Sequence, residues 1–213
     1  MHDSAVFIVD DDERVREALE ELLTSHGMRA ITFGSAGDYV RAVKPDIPAC
    51  LILDVELPDI NGLDLQRQIA AGDHPPIVFV TGHGDIPSSV RAIKHGAVDF
   101  LTKPFSDRDL LAAIDAAIAQ DRRKRGERAE LGVIERRHLT LTPREREVLQ
   151  LVVSGLLNKQ SAAELGIREV TLQVHRRNVM KKMAVTSLPE LVRVAERLGI
   201  AVVRSRSVRG NQA

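Results

Sequence analysis

Three aspartates, a threonine and a lysine of this sequence stand at or just beyond the ends of short apolar runs. Asp10 and Asp11 follow the run VFIV, and Asp54 follows the run ACLIL. Thr81 ends a third run, and Lys103 comes shortly after a fourth. Carboxylates that lie close together repel one another, so the pKa of each rises unless a cation lies among them. A hard divalent cation with oxygen ligands, Mg²⁺ in a cell, would satisfy such a set.

With a divalent cation bound, these side chains could carry out phosphoryl transfer. The cation and the Lys103 ammonium would neutralise phosphoryl oxygens, and Thr81 would donate a hydrogen bond to one of them. Asp54 would be the nucleophile and would form an acyl phosphate. The alternative is that the aspartates are helix N-caps or surface charges. For Asp12, which precedes a helical pattern, that alternative is the better interpretation, because the helix dipole favours an anion there.

The elements that must position these residues alternate between strand and helix. Five short apolar runs, typical of strands buried on both faces, alternate with amphipathic stretches over residues 4–120. This alternation predicts an α/β fold with a doubly wound, five-stranded parallel sheet. Ligands of such sheets bind beyond the carboxyl ends of the strands, where the polar residues stand.

The net charge of the 213-residue chain is zero, but its two halves carry opposite charges. Residues 1–119 contain 10 Lys and Arg against 20 Asp and Glu, whereas residues 120–213 contain 20 against 10. Two domains with different partners would explain the difference. Mutual attraction of the two halves is the alternative.

Cys50 is the only cysteine and no apolar run is long enough to span a membrane, so we expect a cytoplasmic protein.

The basic half has four helical patterns, which predict an all-α domain. Within it, the string LGI predicts a tight corner between two helices, because Gly166 permits a left-handed conformation. The next helix, about 169–183, presents Gln173, Arg177 and Lys181 on one face, a pattern that suits a DNA major groove. For this helix taken alone, a solvated basic face is the alternative.

The acidic half resembles the receiver domain of bacterial two-component response regulators. Four motifs carry the resemblance and occur in the family's order: FIVDDDERVREAL, LILDVELPDINGLDL, VFVTGHGD and GAVDFLTKPF. The resemblance implies a flavodoxin-like strand order of 2-1-3-4-5 and a phosphoacceptor at Asp54. It also implies a metal bound by Asp11, Asp54 and the backbone carbonyl of Glu56, with Asp10 contributing through water.

The same resemblance implies a switch and a special peptide bond. Thr81 would move toward the phosphoryl group while the ring of Phe100 turns inward. The bond between Lys103 and Pro104 would be cis. His83 and Glu56 occupy positions that influence phosphoryl lifetime in this family.

Residues 139–200 resemble the LuxR-type helix–turn–helix, which together with the receiver gives the FixJ/NarL class. By position, the resemblance points to Gln173, Val174 and Arg177 as contacts to base edges. It assigns six further residues to phosphate contacts, which give affinity without sequence information: Asn158, Lys159, Arg168, Thr171, Arg176 and Lys181.

Three residues depart from the LuxR-type pattern. Ser161 stands where the family has a bulky apolar residue, and Arg168 stands where a serine caps the recognition helix. Without that cap, a hydrogen bond worth about 1 kcal/mol is missing. Gln173 replaces a common lysine. These departures affect DNA affinity and site preference rather than the fold.

We therefore expect four segments. These are a receiver at 1–120, a charged helical linker at 121–138, the DNA-binding domain at 139–200, and a disordered basic tail at 201–213. A sensor histidine kinase would phosphorylate Asp54 with Mg²⁺ bound and bias a two-state receiver. The chain would then form a homodimer through residues 86–119 and bind double-stranded promoter DNA. RNA polymerase is a further candidate partner, and no membrane partner and no independent enzymatic turnover are expected.

Two other hypotheses belong to different classes of protein. A haloacid-dehalogenase-like phosphatase would use Asp10 as its nucleophile, with Asp12 at the spacing that this fold requires. The helix–turn–helix has no role in that hypothesis. A constitutive DNA-binding protein with a vestigial receiver is the second alternative. The argument against it is that the set of site residues is complete: Asp10, Asp11, Asp54, Thr81 and Lys103.

Overall fold

The computed structural model describes residues 4–82 and 86–200. The chain divides into two compact units, Met1–Gly126 and Glu127–Ala213, and each is described by itself. His83 and the predicted tail at 201–213 lie outside the described residues.

A parallel sheet with the order β2-β1-β3-β4-β5 forms the centre of the first unit. Its strands are β1 (Ala5–Val9), β2 (Arg29–Phe33), β3 (Ala49–Asp54), β4 (Ile77–Thr81) and β5 (Asp99–Thr102). Every residue of β1, β3 and β4 is buried. Apart from Asp54 and Thr81 at their carboxyl ends, these strands are continuously apolar, as expected where helices cover both faces of the sheet. The predicted fold class and strand order are confirmed.

Five helices connect the strands or follow the last one: α1 (Glu13–Ser25), α2 (Ala36–Arg41), α3 (Gly62–Ile69), α4 (Ile86–Lys94) and α5 (Asp107–Leu139). Three of them begin at residues whose side chains accept a backbone N–H, namely Asp12, Ser35 and Asn61. The interpretation of Asp12 as a helix start is confirmed.

Two apolar layers enclose the sheet. Phe7 and Phe79 belong to one layer, and Ile8 and Ile52 belong to the other. Successive strand residues alternate between the layers because side chains of a strand point to opposite faces. The layers fix the sheet rigidly and so fix the positions of the residues at its carboxyl edge.

Helix α5 is 33 residues long and changes character along its length. Its first turns bury Leu110, Ile114 and Ile118 against the sheet layer. Asp121 is also buried and accepts hydrogen bonds from the backbone N–H of Ala49 at 2.9 Å and from Arg125 Nε at 2.8 Å. The division between the two units falls within this helix, after Gly126.

The second unit contains the end of α5 and four further helices: α6 (Pro143–Val153), α7 (Asn158–Glu164), α8 (Glu169–Met183) and α9 (Leu188–Arg197). Its core includes Val148, Leu172 and Leu191. Gly166 has a φ of +63° at the corner between α7 and α8, as the tight turn requires. The predicted all-α domain is confirmed. Among the described helices of both units, none is long and apolar enough to cross a membrane.

Candidate functional site

The predicted acidic residues meet at the carboxyl edge of the sheet. Asp10 follows β1 directly, and Asp54 is the last residue of β3, which pairs with β1. One carboxylate oxygen from each of Asp10, Asp11 and Asp54 lies within 4.8 Å of the others. Asp10 and Asp54 are buried and Asp11 is exposed, so the cluster is open to solvent on one side.

Lys103 joins two of these carboxylates. Its Nζ donates hydrogen bonds to Asp10 Oδ2 at 2.7 Å and to Asp54 Oδ2 at 3.0 Å. Its backbone N–H donates to the Thr81 carbonyl at 2.8 Å, which fixes the loop after β5 to the end of β4. The Lys103-Pro104 peptide bond is cis, as the resemblance implied.

Burial and the neighbouring charges shift the pKa values of Asp10 and Lys103 in opposite directions. Burial raises the pKa of Asp10 above its usual value, and the hydrogen bond from Lys103 offsets only part of that rise. Burial alone would lower the pKa of Lys103, but its hydrogen bonds to Asp10 and Asp54 outweigh burial and raise it. Lys103 therefore stays an ammonium at neutral pH and can neutralise an anion.

The two aspartate loops are held by their own backbones and by an arginine that sequence reasoning missed. Asp10 Oδ1 accepts from the Asp12 N–H at 3.0 Å, and Asp54 Oδ1 accepts from the Glu56 N–H at 3.0 Å. Arg16 Nη1 donates to the carbonyls of Asp10 at 2.8 Å and Asp11 at 2.9 Å. Its side chain reaches back from α1 and holds the loop that carries both aspartates. No spacing rule marks a contact between residues six positions apart, so no signal in the sequence pointed to it.

Gly62 is a second residue that sequence reasoning missed. Its N–H donates to the Val55 carbonyl at 2.8 Å, at the first turn of α3. A Cβ at this position would overlap the Asp54 carbonyl oxygen and lie 3.1 Å from both Asp54 C and Val55 Cα. Only glycine lets α3 approach the backbone of Asp54 this closely. The signal in the sequence was the Asn-Gly pair within PDINGLD.

The predicted switch residues lie on neighbouring strands. Thr81 is the buried last residue of β4. Phe100 in β5 is half-buried and pairs in register with Phe79, and the two ring centroids are 5.9 Å apart. The ring of Phe100 thus packs against the edge of a sheet layer and is partly open to solvent.

Helix α8 separates an apolar face from a polar one. Leu172, Val179 and Met183 are buried in the core of the second unit. The predicted base-edge residues Gln173, Val174 and Arg177 are all exposed. Of the predicted phosphate contacts, four are exposed: Lys159, Arg168, Thr171 and Lys181. This exposure leaves the predicted face available to a ligand.

Two predicted phosphate contacts are paired with each other. Arg176 Nη1 donates to Asn158 Oδ1 at 2.8 Å, and both residues are only partly exposed. The bond ties the start of α7 to the middle of α8 and so fixes the two helices of the corner. Arg168 precedes α8 without a side-chain capping hydrogen bond, as its departure from the LuxR-type pattern predicted.

Two regions of the chain match known families. Residues 6–115 match the family described as "Response regulator receiver domain". Residues 139–195 match the family described as "Bacterial regulatory proteins, luxR family". The chain belongs to the DNA-binding response regulators. Its receiver implies a histidine kinase as a partner, and its LuxR-type domain implies DNA. This family is not known for metabolic enzymes, and neither matched region supports the phosphatase hypothesis.

Similar response regulators match nearly the whole chain. Nodulation protein W of Bradyrhizobium diazoefficiens is 48% identical over 92% of this chain and 87% of its own length. The transcriptional regulatory protein FixJ of Azorhizobium caulinodans is 44% identical over 92% of this chain and 93% of its own. The solved structure of the response regulator StyR is 46% identical, with a TM-score of 0.79 over 92% of this chain and 99% of its own. The predicted family and its role in transcription regulation are confirmed.

Proposed function

We propose that Asp54 accepts a phosphoryl group from a phosphohistidine of the partner kinase. The observation that supports this most is the position of the Asp54 carboxylate, buried beside Asp10 and 3.0 Å from Lys103 Nζ. The phosphorus–nitrogen bond of the donor breaks, a bond forms between phosphorus and an Asp54 carboxylate oxygen, and the leaving imidazole keeps the electron pair. The Lys103 ammonium then pairs with the phosphoryl oxygens, and Thr81 donates a hydrogen bond to one of them.

The carboxylates of Asp10, Asp11 and Asp54 fit a small divalent cation. Their oxygens converge within 4.8 Å, and hard oxygen ligands are what Mg²⁺ prefers. A bound Mg²⁺ would reduce the repulsion between the carboxylates and the incoming phosphoryl group. We assign Asp11, Asp54 and the backbone carbonyl of Glu56 as direct ligands and Asp10 as a ligand through water. Burial raises the pKa of Asp10, and a cation beside its carboxylate would offset that rise.

Phosphorylation of the full chain tests this assignment. Intact protein incubated with acetyl phosphate and Mg²⁺ gains the mass of one phosphoryl group, and the gain is absent without a divalent cation. Asp54→Asn abolishes the gain, whereas Asp64→Asn, which changes a partly exposed aspartate on α3 that pairs with Arg67, leaves it intact. If wild-type protein gained no mass, the vestigial-receiver hypothesis would replace this proposal.

The phosphorylated receiver forms a homodimer through residues 86–119. Helix α4 supports this step because it exposes three large apolar side chains to solvent, with exposed fractions of 79% for Ile86, 45% for Val90 and 47% for Ile93. A dimer would cover them and would present two DNA-binding domains to a two-fold DNA site. Thr81 and Phe100 couple the phosphoryl group to this surface. Sedimentation of the chain with and without acetyl phosphate measures the step, and a phosphorylated monomer would contradict it.

The DNA-binding step follows from the exposed polar face of α8. Gln173, Val174 and Arg177 contact base edges, and the basic residues around them contact phosphates. Phosphorylation strengthens promoter binding because a dimer engages two half-sites at once. Equal affinity of the phosphorylated and unphosphorylated chains for promoter DNA would contradict this coupling. RNA polymerase is a further candidate partner once the dimer is bound.

A further inference from the structure

Val170 is a large apolar residue that the fold of the second unit leaves in water. It is the second residue of α8, and its exposed fraction is 72%. A β-branched residue is a weaker helix former than the straight-chain polar residues that usually occupy exposed helix positions. Neither core packing nor helix propensity therefore explains a valine here.

The position of Val170 on α8 places it in the proposed DNA-binding face. At 3.6 residues per turn, Val170 and Arg177 lie within about 20° of each other around the helix axis. Val174 follows one turn later and is also exposed, at 46%. The buried residues Leu172 and Val179 lie on the opposite side. Val170 therefore stands in the middle of the face that carries the predicted base contacts, at its amino-terminal end.

An exposed valine can recognise only one feature of a base edge in the major groove. The residues at the amino-terminal end of a recognition helix contact base edges. Valine has no side-chain donor or acceptor, and the apolar group that bases present in this groove is the C5-methyl of thymine. The polar and basic neighbours Gln173 and Arg177 complement DNA rather than an apolar protein surface.

We propose that Val170 is a specificity-determining residue that contacts a thymine methyl group in the bound DNA site. With Val174 it forms an apolar pair that distinguishes thymine from cytosine at the positions it faces. This inference rests on the proposed DNA-binding function of α8 and adds a base reader to it.

Replacing thymine by uracil tests the contact directly, because the replacement removes only the C5-methyl. DNA sites are first selected from a random duplex library by the phosphorylated full chain. Each thymine of a selected site is then changed singly to uracil. At one or more positions we expect wild-type affinity to fall about fourfold, the ratio that corresponds to burial of one methyl-sized group. Val170→Ala binds the thymine and uracil forms of that site equally, and Val170→Ile keeps the preference for thymine.

A matched control and the contrary results keep the test specific. Val43→Ala changes a fully exposed valine of the first unit and leaves every uracil penalty unchanged. If Val170→Ala retained all the wild-type penalties, the inference would be wrong while DNA binding by α8 stood. If Val170→Ala altered sedimentation but no penalty, the valine would contact a second chain instead, and the inference would again be wrong. If no sequence were enriched from the library, the proposed DNA function would itself fail.

Discussion

Gly62 offers a test of how closely the proposed phosphoacceptor, Asp54, depends on its backbone surroundings. Substitution by alanine would place a Cβ inside the contact distance of the Asp54 carbonyl oxygen and 3.1 Å from Asp54 C and Val55 Cα. Carbon atoms pack best at about 3.5–4.0 Å, so the substitution cannot be absorbed by a side-chain rotation and must move backbone. The backbone that moves is that of Asp54 itself or the first turn of α3.

Gly62→Ala should lower both the free energy of unfolding and the rate of phosphorylation. Overpacking of this kind costs about 1–3 kcal/mol of the free energy of unfolding. A displacement of about 1 Å of a reacting group costs on the order of a hundredfold in rate. We therefore expect slower phosphorylation of Asp54 by acetyl phosphate, by a factor much larger than partial unfolding alone would produce. Urea denaturation and the time course of phosphoryl mass gain measure the two effects separately.

Gly126→Ala is the matched control for this prediction. Gly126 lies within α5, and a Cβ there would meet nothing within 4 Å. This variant should gain about 1 kcal/mol of stability, because alanine is the better helix former, and should be phosphorylated at the wild-type rate. A Gly62→Ala protein with wild-type stability and a wild-type phosphorylation rate would refute the reasoning about Asp54.

Three further predictions concern the second unit. The buried hydroxyl of Ser161 has no hydrogen-bond partner among the described residues, so Ser161→Ala should leave the urea midpoint unchanged or raise stability by about 1 kcal/mol; a loss would contradict this. Burial alone would raise the pKa of Glu145, but the hydrogen bond from Lys182 Nζ at 2.6 Å and that from a backbone N–H lower it. The stability that Glu145 contributes is thus present above its unfolded pKa and is lost as pH falls through its folded pKa, and Glu145→Gln should flatten the acid limb of a stability–pH curve. Arg177→Ala should relax base preference at one position by about 1–3 kcal/mol, whereas Lys181→Ala should weaken all sequences alike and lower the salt dependence of binding; the reverse pattern would refute the assignments.

Sequence reasoning predicted the elements and the acidic cluster because both follow from local rules. The strand order of the first unit came from motifs, and the convergence of Asp10 and Asp54 came from the geometry of parallel sheets. The α8 bounds, Glu169–Met183, agree with the helical pattern of about 169–183. The strand order was implied by the resemblance to receiver domains, whereas the helix bounds and the positions of the polar residues need only the period of apolar residues and the end of each run.

The residues that sequence reasoning missed act through contacts that no local rule encodes. Arg16 holds two carbonyls of the β1–α1 loop, and its role depends on the direction of a side chain that could equally have pointed to solvent. Gly62 matters because α3 meets the backbone of β3, which is a tertiary distance. The bond between Arg176 and Asn158 likewise joins two helices across the corner. Each is a positioning contact, and each needs the fold before it can be recognised.

The charged stretch after residue 120 shows that a residue charged in the sequence need not be exposed in the structure. Composition placed Asp121 at the start of a solvated linker, yet its side chain is buried and accepts from the Ala49 N–H, at the end of the sheet opposite to Asp54. Arg125 donates to the same carboxylate and also contacts the exposed Asp46. A buried carboxylate is tolerated because it is paired and hydrogen-bonded, and breaking one partner leaves an uncompensated charge. The first turns of the predicted linker therefore help to hold α5 against β3 in the first unit through Asp121, although most of its other charged residues are exposed, Arg122, Arg123 and Lys124 among them.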